Sequence, residues 1–344
     1  MALLAPSHPA FPLSRLNPPD CKSCDLCARA AGNPVNPVIL SKITIRAIRS
    51  FDKAHAKARD KASNHSPLTT HYSPLTTVSL LTMHRLIINA DDFGFSPHTV
   101  DWTLRCFEAG VLSSATIMAG AADFQRAAAF ARANPQWSFG LHLVLSDEIP
   151  LCPPASIPSM VAPDGHLWPT RQFMLRSAVG LIRSADLERE IRAQLLRLRG
   201  AGVAVSHLDG HGHLHRMPLV LKALIRLKDE LDLARLRPAQ DLYYAPPRLQ
   251  LGLWFNCAVN RSLRRHFAAP DHFLMTTGKV SSAQADWFRE MLPRLPGGCT
   301  EIGIHPGTDE PWRQLDTDDL LRHGRDAMLQ AGLRLVSYHD VKGR

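Results

Sequence analysis

The chain has no run of about 18 or more apolar residues, and its start lacks a charged stretch followed by an apolar segment and a small-residue cleavage site. A transmembrane helix and a secretory leader are therefore not expected, and a cytoplasmic location is. Cysteine is sparse, with seven in 344 residues. Cys106, Cys152, Cys257 and Cys299 are far apart and read as reduced thiols, so no disulfide framework is implied. Cys21, Cys24 and Cys27 form a cluster that could begin a zinc or iron–sulfur site, but no fourth ligand is evident nearby. A concentrated basic surface is also lacking. The net charge of +9 comes mostly from residues 1–82, where ten Lys/Arg face four Asp/Glu, a net of +6 that leaves +3 for the other 262 residues. No nucleic-acid partner is expected on that basis.

What is present is a globular composition, 45% hydrophobic and 21% charged, in a length that suits one α/β barrel with additions. Residues 1–82 differ in kind, being rich in Pro, Ser, Ala and basic residues, and they repeat Ser66-Pro-Leu-Thr-Thr70 as Ser73-Pro-Leu-Thr-Thr77. They read as a poorly ordered or dispensable extension, with Met83 as the start of a domain over 83–344. From there strand-like and helix-like stretches alternate, the pattern of a parallel sheet with crossover helices. Strands are expected at Leu86–Asn89, Ser114–Met118, Phe139–Leu145, Val203–Leu208, Ala234–Arg237, Phe273–Thr276, Glu301–His305 and Leu333–Ser337. Seven to eight such strands predict a barrel. Ser96 followed by Pro97 predicts a capped helix that ends at Ala109-Gly110. Further helices are expected at 121–133, 187–198, 219–230, 283–292 and 318–331, and Leu249–His266 reads as a packed helix carrying Trp254 and Phe255. An irregular Pro-rich insertion, Asp147–Thr170, is expected over the mouth of the barrel.

Four strand ends carry polar residues. Asn89-Ala-Asp91-Asp92-Phe-Gly94 ends the first strand with adjacent carboxylates, which repel unless a cation or a proton separates them, although a helix-capping Asp is an open alternative. In Ser206-His207-Leu-Asp209-Gly-His211-Gly-His213-Leu-His215 every odd position from 207 is His or Asp. An extended segment would place those five groups on one face, the density of a metal site rather than of a core. Imidazole suits Zn, Fe, Ni or Co, and an added carboxylate also tolerates Mg or Mn. Gly140-Leu-His142-Leu143 and Glu301-Ile-Gly-Ile-His305-Pro-Gly307 each add one His that is weak alone. The carboxyl ends of parallel strands converge on one face, so the four together make a constellation.

These motifs, with the terminal Ser337-Tyr-His-Asp-Val341, resemble the YdjC-like carbohydrate deacetylase family in combination and order from Met83 to about Val341. The resemblance implies a distorted (β/α) barrel of the glycoside hydrolase and deacetylase type. It implies a divalent cation, usually Mg²⁺ with Zn²⁺, Co²⁺ or Mn²⁺ as alternatives, on His142, His211 and Asp92. Asp91 would be the general base and His305 the general acid, with Arg237 orienting the base. Asp209, His213 and His215 would be supporting or substrate contacts, and Trp168 and Trp312 would be sugar-stacking candidates that could equally be packing. Gly212 departs from the family's histidine run. The reaction implied is hydrolysis of the acetamide of a chitooligosaccharide-like N-acetylated sugar by a metal-activated water. The alternatives are a deacetylase for a glycolipid or hopanoid-linked sugar, a metal-dependent phosphoesterase lacking any Gly-rich anion loop, and a non-catalytic sugar-binding barrel. A homo-oligomer is compatible with all of them.

Overall fold

The computed structural model describes residues 84–243, 250–276 and 286–343. The expectations for the 1–82 extension, the Cys21–Cys27 cluster and a start at Met83 lie outside the described residues.

The elements alternate in the order β1 (Arg85–Phe93), α1 (Pro97–Glu108), β2 (Ser114–Ile117), α2 (Phe124–Ala133), β3 (Ser138–Leu143), α3 (Thr170–Ala178), α4 (Ser184–Gly200) and β4 (Val205–Gly210). There follow a 3-10 turn (His211–Arg216), α5 (Pro218–Leu227), α6 (Gln250–Leu263), β5 (His272–Met275), α7 (Trp287–Met291), β6 (Cys299–Ile304), α8 (Pro311–Gln330) and β7 (Arg334–Leu335). The strands form one parallel sheet in the order β4-β3-β2-β1-β6-β5, with β7 paired to the start of β1.

The sheet curls into a distorted (β/α) barrel. The expected strand at Ala234–Arg237 is reduced to isolated bridges, Leu208 to Leu236 and Arg235 to Ala268. Arg237 N donates to Leu208 O at 3.0 Å, and Asp241 N donates to Phe273 O at 3.3 Å, so the segment passes from the β4 edge to the β5 edge without the length to pair as a strand.

Strand alternation sorts the core. Leu86, Ile88 and Ala90 join the large apolar cluster with Val100, Phe107 and Ala115. Ile87, one position out of phase, packs instead with Cys299, Val336, Tyr338 and Val341. Continuing that second phase brings Asn89 and Asp91 onto the same face.

Helix α1 begins as expected, with Thr99 N donating to Ser96 Oγ at 3.2 Å and Ser96 N donating to Thr99 Oγ1 at 3.0 Å. The insertion after β3 is irregular apart from the 3-10 turn Pro154–Ser156 and an antiparallel bridge from Val161 to Leu167. Buried acids of α4 hold it down: Leu151 N and Cys152 N each donate to Glu190 at 2.9 Å, and Ser159 N donates to Asp186 at 3.0 Å. Two expectations are corrected. Helix α3 follows the insertion where no helix was expected, and Trp254 and Phe255 on α6 are exposed rather than packed. Residues 283–285 of the helix expected at 283–292 lie outside the described residues. Among the described residues no helix is long and apolar enough to cross a membrane.

Candidate active site

The carboxyl ends of β1, β3, β4 and β6 bring the sequence motifs together. Adjacent strand residues ordinarily point to opposite faces, which would separate Asp91 from Asp92. The β1–β2 register slips between Ala90 and Phe93, and Asp92 sits at φ 56°, so both carboxylates reach the same site.

Asp92 is the hub. Its Oδ1 lies 3.1 Å from His142 Nε2 and 3.1 Å from His211 Nδ1, and its Oδ2 accepts from Arg313 Nη2 at 2.6 Å. One donor atom from each of Asp92, His142 and His211 lies within 4.8 Å of the others. His142 Nδ1 is 2.7 Å from Asp209 Oδ1, which fixes the ring and turns Nε2 toward Asp92, where that buried nitrogen has no well-formed hydrogen bond. Two imidazoles and a carboxylate, with an orphaned nitrogen and a carboxylate holding the ring from behind, fit a divalent cation.

Asp91 has a different environment. Arg237, fully buried, grips both of its oxygens at 2.6 and 2.7 Å, and Asn89 Nδ2 adds a bond at 2.9 Å. The same guanidinium reaches Asp209 at 2.7 Å and Glu301 at 2.8 Å. Burial opposes ionisation of Asp91, but the charge and hydrogen bonds of Arg237 win and hold its carboxyl well below the usual range. Burial also opposes ionisation of Asp92, and the close approach of His142 and His211 holds it well below the usual range. For His142 burial lowers the pKa, yet the charges of Asp209 and Asp92 push it up to about 10. Burial pushes Glu301 up to about 7 in spite of Arg237.

His305 follows β6, with its ring 5.2 Å from that of Trp312 in an edge-on contact and its buried Nδ1 without a partner. Burial lowers its pKa, while the charges of Asp92 and Asp91 pull the other way.

The histidine run does not form the extended segment expected of it. Strand β4 stops at Gly210, and the chain turns with Gly212 at φ 58° and His213 at φ 57°. His207 is a core residue, stacked 3.5 Å from Tyr338 and bonded through Nδ1 to Ser206 Oγ at 2.8 Å. His211 reaches Asp92 from the turn. His213 lies edge-on to Phe273, and burial with the nearby Arg237 lowers it to about 3. His215 is fully buried and neutral, since burial and then His213 push it well below the usual value. Trp168 is held within the insertion: its indole donates to Ser159 O at 3.0 Å and Arg176 lies over its ring at 4.1 Å.

Arg313 was invisible in the sequence reading, because it comes from α8, 221 residues after Asp92. Thr116, which donates to Asp209 Oδ2 at 2.9 Å, and Tyr338, which donates to Glu301, also escaped it. Only Tyr338 carried a signal, through its place in the terminal motif.

Residues 85–334 match the family described as YdjC-like protein. The chain belongs to the YdjC-like family. Similar proteins include a carbohydrate deacetylase of Geobacillus stearothermophilus, 37% identical over 154 residues, which are 45% of this YdjC-like chain and 59% of that protein. A carbohydrate deacetylase of Brevibacillus brevis is 34% identical over 146 residues, 42% and 56% of the two chains. The match thus spans less than two thirds of these relatives' length. The crystal structure of a protein described as a cellobiose-phosphate cleavage protein, from Enterococcus faecalis V583, shares the fold at a TM-score of 0.61 and 22% identity, covering 74% of this chain and 98% of that one.

Proposed function

We propose that this YdjC-like chain is a metal-dependent hydrolase that removes the acetyl group from an N-acetylated, chitooligosaccharide-like carbohydrate, releasing acetate. The observation that carries the reading is the pairing of two unlike carboxylates. Asp92 faces two imidazoles, whereas its neighbour Asp91, although one of its oxygens lies within 4.8 Å of a His142 ring nitrogen, is clamped at both oxygens by Arg237. The names of the similar proteins support the substrate class. In this reading Asp92, His142 and His211 hold a divalent cation, Mg²⁺ in the first instance with Zn²⁺, Co²⁺ and Mn²⁺ as alternatives, which supplies Lewis acidity to the acetamide carbonyl.

The remaining work falls to the chain's own residues. Asp91, ionised by Arg237, takes a proton from the water that attacks the carbonyl carbon. The carbon–nitrogen bond then breaks, and His305 delivers a proton to the departing sugar nitrogen, giving acetate and a free amine. Arg237 keeps Asp91 oriented and charged. The buried His215 and the half-buried His213, both neutral, shape the pocket, and Trp312 beside His305 offers a face to a sugar ring. The reaction is read as cytoplasmic, and a homo-oligomer is compatible with it.

The test is acetate release from N-acetylglucosamine, diacetylchitobiose and longer oligomers, with chelator and with each cation restored. Chelator-sensitive release is expected. The substitution Asp91→Asn should lower turnover by roughly 10²–10⁴-fold while leaving cation binding in place. Normal turnover by that variant, or release indifferent to chelator, would remove the mechanism.

A further inference from the structure

We propose that Asp286, Asp319 and His323 form a second cation site, a clasp for a zinc-type ion that ties α7 to α8. It shares no residue with the site around Asp92 and does not rest on the deacetylase reading. Asp319 and His323 stand at positions i and i+4 of α8, the spacing that places two side chains on one helical face. Asp286 is the residue just before α7, where an aspartate ordinarily accepts a backbone N–H of its own helix. Here it does not. Asp319 takes that part from α8, accepting from Phe288 N at 3.1 Å, and the Asp286 carboxylate instead meets His323 Nε2 at 2.9 Å. One ligating atom from each of the three lies within 4.8 Å of the others.

An unanswered acceptor separates this cluster from an ordinary ion pair. Asp319 is only 6% exposed, and its buried Oδ1 has no hydrogen-bond partner among the described residues. A carboxylate oxygen can only accept, so burying one without a donor carries a cost that a cation removes. Burial pushes the Asp319 carboxyl above its ordinary range in spite of the Phe288 N–H and His323, and the nearby Asp286 adds to the rise. One imidazole nitrogen and two carboxylate oxygens suit Zn²⁺ or Co²⁺, with water completing the shell, better than Mg²⁺, which favours oxygen alone. Two exposed arginines oppose the ion: Arg289 Nη2 lies 3.3 Å from His323 Nδ1, and Arg322 is near Asp319. Arg289 can withdraw into solvent as the ion takes Nε2 and the imidazole proton moves to Nδ1. Placement gives the clasp a consequence. Helix α8 also carries Arg313, whose Nη2 donates to Asp92, so an ion that fixes α8 against α7 steadies that contact from outside the site.

The experiment is equilibrium dialysis of the full chain against Zn²⁺, comparing wild type with His323→Gln, Asp319→Asn and Arg289→Ala. His323→Gln and Asp319→Asn should each bind one equivalent of Zn²⁺ fewer than wild type. Asp92, His142, His211 and all seven cysteines are the same in the four proteins, so zinc held by them does not contribute to the difference. Arg289→Ala should keep the wild-type number of equivalents and hold the one at α8 roughly two- to fivefold more tightly, the effect of removing an exposed positive charge beside it. Asp319→Asn retains an acceptor for Phe288 N, and thermal melting of the chelated proteins shows that each variant is folded. A cluster that serves only as an ion pair and a helix cap would change the melting temperature and leave the zinc count alone. Equal zinc stoichiometry in wild type and the folded His323→Gln and Asp319→Asn proteins therefore overturns the proposal. Weaker zinc binding by Arg289→Ala overturns it too, because Arg289 would then support the ion instead of competing with it.

Discussion

Arg313 and Arg237 divide the two neighbouring carboxylates between them, and the division decides what each carboxylate can do. Arg237 occupies both oxygens of Asp91, leaving it a fixed anion, whereas Arg313 occupies only Oδ2 of Asp92 and leaves Oδ1 toward the two histidines. Arg313 is itself held between partners, with its guanidinium 4.7 Å from the Trp312 ring and 5.8 Å from that of Phe95. It acts as a positioning residue. Replacing it with Gln keeps a donor but loses the charge and the fork, so Arg313→Gln should weaken cation affinity about 10–100-fold, the usual effect of removing a carboxylate's outer partner. Calorimetry with Zn²⁺ or Mn²⁺ reads this directly, and saturating cation should recover most of the turnover. Unchanged affinity would reduce Arg313 to packing. The sequence displayed Asp91, Asp92, His142 and His211 because each belongs to a compact motif at a strand end. It concealed Arg313 because an arginine in the first turn of an amphipathic helix looks like any other surface charge until the fold places it.

At the level of elements, the feature least visible beforehand is that one phase of the strands is polar. Asn89 and Asp91 of β1, Thr116 of β2, His142 of β3, Asp209 of β4 and Glu301 of β6 are buried and joined by hydrogen bonds, while the other phase supplies the apolar cluster. In β4 that alternation was legible, since His and Asp are hard to hide among Leu and Gly. In β1 the run Leu86–Ile88 is uniformly apolar, and only the contacts of Ile87 reveal the second face. The turn at His211–Arg216 departs from expectation because the alternation does not extend past Gly210: Gly212, at φ 58°, and His213 after it carry the backbone out of the extended conformation. Glycines within the strands record how closely the elements approach. A Cβ at Gly140 would lie 2.6 Å from His207 Cε1 and 2.7 Å from the His207 carbonyl oxygen, and neither can yield, because the backbone is in a paired strand and the ring is stacked on Tyr338. A Cβ at Gly303 meets mainly the end of Met275, at 2.6 Å from its Cε, which is free to swing. Gly140→Ala should therefore cost about 2–3 kcal/mol of stability and Gly303→Ala no more than about 1 kcal/mol, as read by urea unfolding. Equal costs would mean that β3 and β4 are looser than their contacts imply.

For the molecule as a whole, the interior holds an unbalanced set of charges. Asp91, Asp92, Asp209 and Glu301 are buried against Arg237 and Arg313, four acids to two bases, with the neighbouring His213 and His215 neutral. Without an ion protons meet part of the deficit: the charges of Asp209 and Asp92 push His142 up to about 10, and burial pushes Glu301 up to about 7. A divalent cation supplies two positive charges at the place where they are lacking, so its binding should stabilise the fold as well as serve the chemistry. An ion present at 100 times its dissociation constant contributes about 2.7 kcal/mol, and at 1,000 times about 4 kcal/mol. The melting temperature of the chelated protein should therefore rise steadily with added cation. If the cation sits on the proposed set of Asp92, His142 and His211, His142→Ala should abolish that rise, because it removes a ligand held by Asp209, whereas Asp91→Asn should preserve it, because Asp91 is clamped by Arg237. A melting temperature independent of cation, or a rise that survives His142→Ala, would place the ion elsewhere and leave the buried acids to be neutralised by protons alone.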